Sequence, residues 1–103
     1  MQNKVKKFNE KAGNFAEPMP VNARIFDIQS EMGELCKEHL KSTNYGSENF
    51  KLTEDFKMEY GDTLYSMLSL ANELDINAND CLKMALKKYE ARINKKSSMG
   101  SGN

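Results

Sequence analysis

Two acidic pairs have residue types and a spacing that could support metal binding and catalysis. Glu31 and Glu34 lie three residues apart, and so do Glu59 and Asp62. On a helix, side chains three residues apart stand on the same face, one turn from each other. The 24 residues between Glu34 and Glu59 are enough to finish one helix, turn, and follow most of a second. Two antiparallel helices could therefore bring all four carboxylates to one place.

Four convergent carboxylates, with no His or Cys among them, suit Mg²⁺ or Mn²⁺, which commonly serve phosphate chemistry. We therefore expect Glu31, Glu34, Glu59 and Asp62 to be ligands for Mg²⁺, with Mn²⁺ as a substitute. Such a site could bind the triphosphate of a nucleotide and lower the pKa of a bound water. Cleavage between the α- and β-phosphates would release a monophosphate and pyrophosphate. Glu34 or Glu38 is the candidate catalytic group that orients or deprotonates this water.

Two basic residues near the end of the chain are candidates for contacts with the substrate phosphates. Lys88 and Arg92 are four residues apart, so both could lie on one helical face. Solvation or ion pairing is the alternative, because basic residues late in a helix also favour its dipole. The acidic pairs have a similar alternative, since exposed helical faces often carry such pairs. Tyr45 and Phe50 are candidates for stacking on a nucleobase.

The elements that must position these residues follow from apolar residues at steps of three and four. This periodicity predicts helices over residues 1–16, about 22–42, from near Thr53 through Leu74, and about 78–95. The expected caps are Asn22, Thr53, and Asn77 or Asn79. The side chains expected to face the core are Val5, Phe8, Ala12 and Phe15, then Ile25, Ile28, Met32 and Leu35, then Phe56, Tyr60, Leu64, Met67, Leu68, Ala71 and Leu74, and finally Leu82, Ala85, Leu86, Tyr89 and Ile93. Because no strand signal stands out, the predicted fold class is all-α, a small bundle of about four helices.

The bulk composition indicates one small domain that associates with itself. At 103 residues and 11.7 kDa, the chain predicts a single domain over residues 1–96 and a flexible tail over 97–103. Hydrophobic residues at 39%, charged residues at 29% and a mean hydropathy of −0.73 suit amphipathic helices that complete their core in a dimer. The zero net charge gives no support to a nucleic-acid-binding surface.

The sequence also suggests a compartment. It has no apolar run near 18 residues and no charged-then-apolar leader, so neither a membrane span nor a signal peptide is expected. Cys36 and Cys81 form no C-x-x-C motif and fall in helical patterns. Buried, reduced thiols in a cytoplasmic protein are the expectation.

The order and spacing of the acids resemble the signature of the MazG-like branch of the all-α NTP pyrophosphatases. The resemblance rests on Glu31-x-x-Glu34, the 24-residue interval and Glu59-x-x-Asp62. Flanking segments share it: residues 24–31, 59–65, 70–76 and 88–92. In total it covers roughly residues 20 to 95.

This resemblance implies a Mg²⁺-dependent hydrolase that converts NTPs or dNTPs to monophosphates and pyrophosphate, with a house-cleaning role in the nucleotide pool. It also implies a helical bundle that dimerises, or pairs dimers into tetramers, with sites near the subunit interface. The four acids carry over as metal ligands, and Lys88 and Arg92 as phosphate contacts. Leu86 stands where some relatives have Asn, two residues before the Lys, so contacts on the fourth helix differ here.

Several alternatives compete with this interpretation. The same metal site could serve dUTP, dCTP or phosphoribosyl-ATP, or the chain could be a helical dimerisation or regulatory module whose acids only solubilise it. A di-iron bundle is excluded because it needs Glu-x-x-His on two helices, and the one His, His39, follows Cys36 by three residues. An EF-hand is disfavoured because no acidic 12-residue loop with its central Gly is present.

Overall fold

The computed structural model describes residues 1–13 and 20–101, with side chains described as far as Lys96. Within these residues the chain forms four helices and no strand: α1 (Gln2–Ala12), α2 (Val21–Ser42), α3 (Glu54–Glu73) and α4 (Ala78–Ser101). The predicted all-α class with four helices is confirmed. Among the described residues, none of the helices combines the length and apolar character needed to cross a bilayer.

The helix starts show which local signals decide a boundary. The Thr53 hydroxyl accepts a hydrogen bond from the Phe56 amide at 3.0 Å, which confirms the predicted cap of α3. The Asn77 carboxamide accepts one from the Asp80 amide at 3.0 Å at the start of α4. The predicted Asn22 cap is wrong, because Pro20 is the N-cap and its ring fixes a φ of −60°.

One predicted helix end differs from the structure, and another is only partly described. Helix α1 ends at Ala12, and residues 14–16 of its predicted range lie outside the described residues. Helix α4 runs to Ser101, beyond the predicted end near residue 95 and into the segment expected to be a tail.

Helices α2 and α3 pack side by side and run in opposite directions. Arg24, near the start of α2, pairs with Glu73 at the end of α3, with 3.0 Å between nitrogen and oxygen. One turn further along α2, Asp27 accepts a hydrogen bond from Ser66 at 2.7 Å. As residue numbers rise on α2, those of their partners fall on α3. This is the antiparallel arrangement that two acidic pairs on successive helices require.

Helix α1 packs on α3 through hydrogen bonds and an aromatic contact. The Gln2 carboxamide donates to the Ile76 carbonyl in the α3–α4 turn and accepts from the Ala78 amide at the start of α4, both at 2.7 Å. Asn9 donates to the Ser69 hydroxyl at 3.0 Å and accepts from the Tyr65 hydroxyl. The Phe8 ring lies edge-on to Tyr65, with 6.0 Å between ring centres. No residue of α1 is buried, so the helix adds little to the core.

Helix α4 has hardly any contact with the other three helices. Leu82, Leu86, Tyr89 and Ile93, which were predicted to face the core, are all exposed, Ile93 by 66%. The prediction that these side chains are buried is therefore wrong for the single chain. The helix has the expected amphipathic stripe, but nothing within the described part of the chain covers it.

The stripes of α2 and α3 are only partly covered as well. Of the described apolar residues, only Leu68 and Ala71 are buried. Predicted core residues that are exposed instead are Phe8, Ile25, Met32, Tyr60, Met67 and Leu74. The radius of gyration is 18.4 Å, whereas a compact chain of about 100 residues has roughly 13 Å. One copy of the chain is thus an extended set of helices without a full core.

The two thiols lie on uncovered faces. Cys36 and Cys81 are free, and both are exposed. The predicted burial is wrong because neither residue lies on the packed side of its helix.

Candidate functional site

The α2–α3 pair brings together three of the four predicted carboxylate ligands. One oxygen from each of Glu31, Glu59 and Asp62 lies within 4.8 Å of the others. Glu59 and Asp62 stand one turn apart on α3, and Glu31 meets them from the middle of α2. None of the three is buried, so a ligand can reach them. We refer to these three residues as the carboxylate triad.

Burial and repulsion act together on Glu31. Desolvation is the largest cause that raises the pKa of its carboxyl, followed by the negative charge of Asp62. The charges of Asp27, Glu59 and Glu34 raise the same pKa further. Glu31 therefore stands in a field of like charges that disfavours its ionised form.

Glu59 is in the same situation from the other helix. Desolvation raises the pKa of its carboxyl most, and the charges of Asp62, Glu34, Glu38 and Asp55 add to the shift. Carboxylates of α2 and of α3 thus both act on Glu59. Two groups in one cluster with raised pKa values mark a place where a proton or a cation would be held.

The remaining predicted acids, Glu34 and Glu38, lie at the margin of the triad. Glu34 is the predicted ligand that falls outside the three convergent oxygens. It is exposed, and among the described residues it has no ion-pair partner. Glu38 pairs with Lys41 at 3.3 Å, and its side chain is 14% exposed. Of the two candidate bases, Glu34 is therefore the one whose carboxylate is open to solvent.

Beside the triad, a polar seam of Arg24, Asp27, Ser66 and Glu73 joins α2 to α3. The buried Arg24 guanidinium contacts Glu73 at 3.0 Å and Asp27 at 3.5 Å. Ser66 is buried and donates to the same Asp27 oxygen at 2.7 Å. Asp27 lies one turn before Glu31, so the seam sets the register in which α2 presents Glu31 to α3.

Sequence reasoning did not identify this seam. Leu64, Met67, Leu68 and Ala71 are the predicted core residues of this part of α3, yet Ser66 and Ser69 between them are more buried than any of the four. Two Ser residues three apart in an apolar stretch were the available signal, because buried hydroxyls require hydrogen-bond partners. Asp27 accepts a hydrogen bond from Ser66, and Asn9 donates one to Ser69.

The structure does not bring Lys88 and Arg92 to the triad within one chain. Both are exposed on α4, with the Lys88 ammonium 4.9 Å and the Arg92 guanidinium 5.9 Å from the Tyr89 ring centre. Neither makes an ion pair within the described residues. Leu86 is exposed on the same helix.

The aromatic candidates for base stacking have different surroundings. Phe50 is stacked on His39 with 5.2 Å between ring centres and lies edge-on to Phe56 at 5.1 Å. It therefore joins the loop to α2 and α3, which is a packing role. Tyr45 is 75% exposed at the tip of the loop, with a left-handed φ of 59°.

Comparison with known proteins shows one family relationship. The chain is 35% identical over 85 residues to the uncharacterized protein YpjD of Bacillus subtilis (strain 168). The match covers 80% of this chain and 71% of that protein. No protein-family model matches the sequence, and no solved structure matches it. The chain therefore belongs to the family of YpjD.

Proposed function

We propose that this protein is a metal-dependent nucleoside triphosphate pyrophosphohydrolase of the MazG-like type. It would cleave NTPs or dNTPs between the α- and β-phosphates and release a monophosphate and pyrophosphate. The observation that supports this most is the meeting of Glu31, Glu59 and Asp62 across α2 and α3. A house-cleaning role in the nucleotide pool and a cytoplasmic location belong to the same proposal.

The donor atoms of the triad fit Mg²⁺. Oxygens that share one Mg²⁺ at about 2.1 Å stand no more than about 4.2 Å apart. The three carboxylate oxygens lie within 4.8 Å of one another, so small side-chain rotations bring them to that spacing. Three carboxylates leave coordination positions for water and phosphate oxygens, as Mg²⁺ prefers, and Mn²⁺ accepts the same ligands. We propose Glu34 as a fourth ligand or as the catalytic base.

Each acidic residue of the site would then have its own role. Glu31, Glu59 and Asp62 hold the cation, which when bound supplies charge neutralisation and an activated water. Glu34 accepts the proton of the attacking water, and Glu38 is the second candidate for this role. The raised pKa values of Glu31 and Glu59, caused first by desolvation and then by neighbouring carboxylates, fall back once a divalent cation is present.

A second copy of the chain completes the bundle in this proposal. The chain exposes 8505 Å², whereas a folded monomer of this mass exposes about 5,900 Å². The difference is large enough for an obligate dimer interface, which buries about 2,000 Å² or more in total. The uncovered apolar stripe of α4 is the surface that a second copy would cover. A homodimer, or a tetramer made of two dimers, would also allow Lys88 and Arg92 of one copy to reach a site on another.

The test is pyrophosphate release from a panel of NTPs and dNTPs, with Mg²⁺ and with EDTA. We expect metal-dependent release by the wild-type protein and its loss in Glu59→Gln. Glu48→Gln removes an exposed carboxylate outside the cluster and should retain the activity. If no nucleotide is hydrolysed by folded wild-type protein with Mg²⁺ or Mn²⁺, the proposed function is refuted. Hydrolysis that persists in EDTA refutes its metal dependence.

A further inference from the structure

A large cavity lies between α1, α2 and α3 and shares two lining residues with the carboxylate triad. Its volume is about 780 Å³, within the range of roughly 300–1,000 Å³ that small-molecule sites occupy. Glu31 and Asp62 belong both to the triad and to the lining of the cavity. A ligand held at the triad therefore has a continuous space into which the rest of the molecule can extend.

The charges in the lining determine which part of a nucleotide fits. Five carboxylates and two cations line the cavity. One of the two cations, Arg24, is already engaged by Glu73 at 3.0 Å and by Asp27 at 3.5 Å. Even with Glu31 and Asp62 neutralised by a metal ion, carboxylates remain in excess. A phosphate group is therefore disfavoured inside the cavity, and an uncharged polar group is favoured.

The walls carry polar and aromatic groups in fixed orientations. Asn9 is held between the hydroxyls of Ser69 and Tyr65, and Ser66 is held by Asp27. Across the described residues, every buried side-chain nitrogen or oxygen has a hydrogen-bond partner. Because these groups are ordered before a ligand arrives, little entropy is lost on binding. Aromatic surface next to oriented hydrogen-bonding groups is the chemistry that recognises a nucleoside.

Helix α1 supplies one wall of the cavity through Lys6, Asn9 and Ala12. The resemblance to MazG-like enzymes begins near residue 20, so this wall lies outside the part of the chain that resembles them. Because Asn9 of α1 is held by Ser69 and Tyr65 of α3, this wall has a fixed position relative to α3.

We propose that this cavity binds the nucleoside portion of the substrate, with α1 as a specificity-determining wall and the phosphates at the triad. The inference rests on the proposed nucleotide hydrolase function. The proposal makes two predictions that would not hold if α1 had only a structural role. Filling the cavity should selectively weaken the binding of nucleotides. Uncharged nucleosides should bind in the cavity without metal.

Steady-state kinetics on NTPs and on inorganic tripolyphosphate, which has no nucleoside, test the first prediction. Ala12→Phe fills the cavity and should raise KM for NTPs about tenfold or more, with tripolyphosphate turnover unchanged. Ala12→Ser is the control at the same position. Lys6→Trp and Lys7→Trp form a second matched pair, because Lys6 lines the cavity and the neighbouring Lys7 does not. Unchanged KM values, or equal losses on both substrates, overturn the proposal.

Nuclear magnetic resonance of the metal-free protein with free nucleosides tests the second prediction. We expect amide shifts in α1 and at Tyr65 and Ser66, lost in Ala12→Phe and kept in Ala12→Ser. Shifts confined to other residues, or none at millimolar nucleoside, overturn the cavity assignment even if nucleotides are hydrolysed. Nucleoside binding in the cavity by a protein that hydrolyses no nucleotide upholds the assignment and refutes the proposed function instead.

Discussion

At the scale of single residues, Glu59 is where charge repulsion and the proposed metal binding oppose each other most directly. Desolvation, and then the charges of Asp62 and Glu34, raise the pKa of its carboxyl. Without a cation, the ionised Glu59 therefore destabilises the fold. Its oxygen also lies within 4.8 Å of oxygens of Glu31 and Asp62, where a divalent cation would reverse this effect. An acidic face that is only solvated would have the repulsion between carboxylates but would not be stabilised by a divalent cation.

Thermal unfolding with and without metal separates these two interpretations. At 100 times the dissociation constant, a ligand that binds only the folded state adds about 2.7 kcal/mol. We therefore expect Mg²⁺ or Mn²⁺ to raise Tm of the wild-type protein by roughly 10 °C or more. Glu59→Gln should lose this response, while its metal-free Tm should rise because repulsion is relieved.

Glu48→Gln is the matched control, since it removes an exposed carboxylate from the loop that follows α2. It should respond to Mg²⁺ as the wild-type protein does. A Glu59→Gln protein that is stabilised by Mg²⁺ as strongly as the wild type would remove Glu59 from the ligand set.

The pH dependence of the metal-free protein follows from the same shift. The folded-state pKa of Glu59 is above its ordinary value of 4.5, through desolvation and then neighbouring carboxylates. The protonated group contributes stability that is fully present below pH 4.5 and is lost as pH rises through the raised pKa. Glu59→Gln should therefore be more stable than wild type at pH 7, and the difference should vanish as pH falls to about 4.5.

Urea titrations of both proteins across this range, in EDTA, measure the difference in unfolding free energy. A difference that stays constant from pH 7 to pH 4.5 would contradict the assigned origin of the shift.

Single residues also show which parts of the site can be predicted from the sequence. The spacing of the acidic pairs predicted that Glu31, Glu34, Glu59 and Asp62 could meet, because each pair lies on one face of its helix. The structure brings three of the four together. The position of Glu34 outside that group was not predictable, because the period fixes a face but not which side chain reaches across. The polar seam was missed because apolar periodicity does not take account of the buried hydroxyl of Ser66, which requires a hydrogen-bond partner.

At the scale of elements, α3 is the helix around which the others are arranged. It contacts both α1 and α2 and contains the two buried apolar residues, Leu68 and Ala71. It also provides Glu59 and Asp62 to the triad. Its start was predictable because the cap is a local side-chain signal, whereas the start of α2 was not, because Pro20 overrides the neighbouring Asn22. Local chemistry therefore determines these boundaries.

The cap of α3 can be tested by mutation. Thr53→Ala removes the hydroxyl that accepts from the Phe56 amide at 3.0 Å. Loss of such a cap costs about 1 kcal/mol, which corresponds to a fall in Tm of about 4–8 °C for a chain of this size. Thr53→Ser keeps the hydroxyl and should lose little. Equal Tm values for Thr53→Ala and Thr53→Ser would show that the hydroxyl does not stabilise the helix.

At the scale of the whole molecule, the dominant feature is apolar surface that one chain leaves uncovered. The apolar stripe of α4 (Leu82, Leu86, Tyr89 and Ile93) is exposed, and the molecule extends over 62 × 42 × 22 Å. Helical periodicity correctly predicted this stripe as apolar. It could not reveal what covers the stripe, because the sequence of one chain does not distinguish an internal partner from a second copy. The small size of the chain was the available indication of self-association.

Light scattering after size exclusion tests the proposed oligomer. At micromolar concentration we expect a mass of two or four times the 11.7 kDa chain. Leu86→Glu places a charge in the α4 stripe and should shift the protein toward monomer and lower its Tm. Ala91→Glu adds the same charge on the opposite face of α4 and should leave the mass unchanged. A wild-type protein that is monomeric under these conditions would contradict the proposal.

The most direct test of the central claim is identification of the products by phosphorus-31 NMR after incubation with an NTP and Mg²⁺. The wild-type protein should yield nucleoside monophosphate and pyrophosphate, and Asp62→Asn, with the fold intact by circular dichroism, should lower turnover by about 10²-fold or more. Orthophosphate with nucleoside diphosphate would contradict cleavage between the α- and β-phosphates. Wild-type turnover in the Asp62→Asn protein would contradict the role of the carboxylate triad.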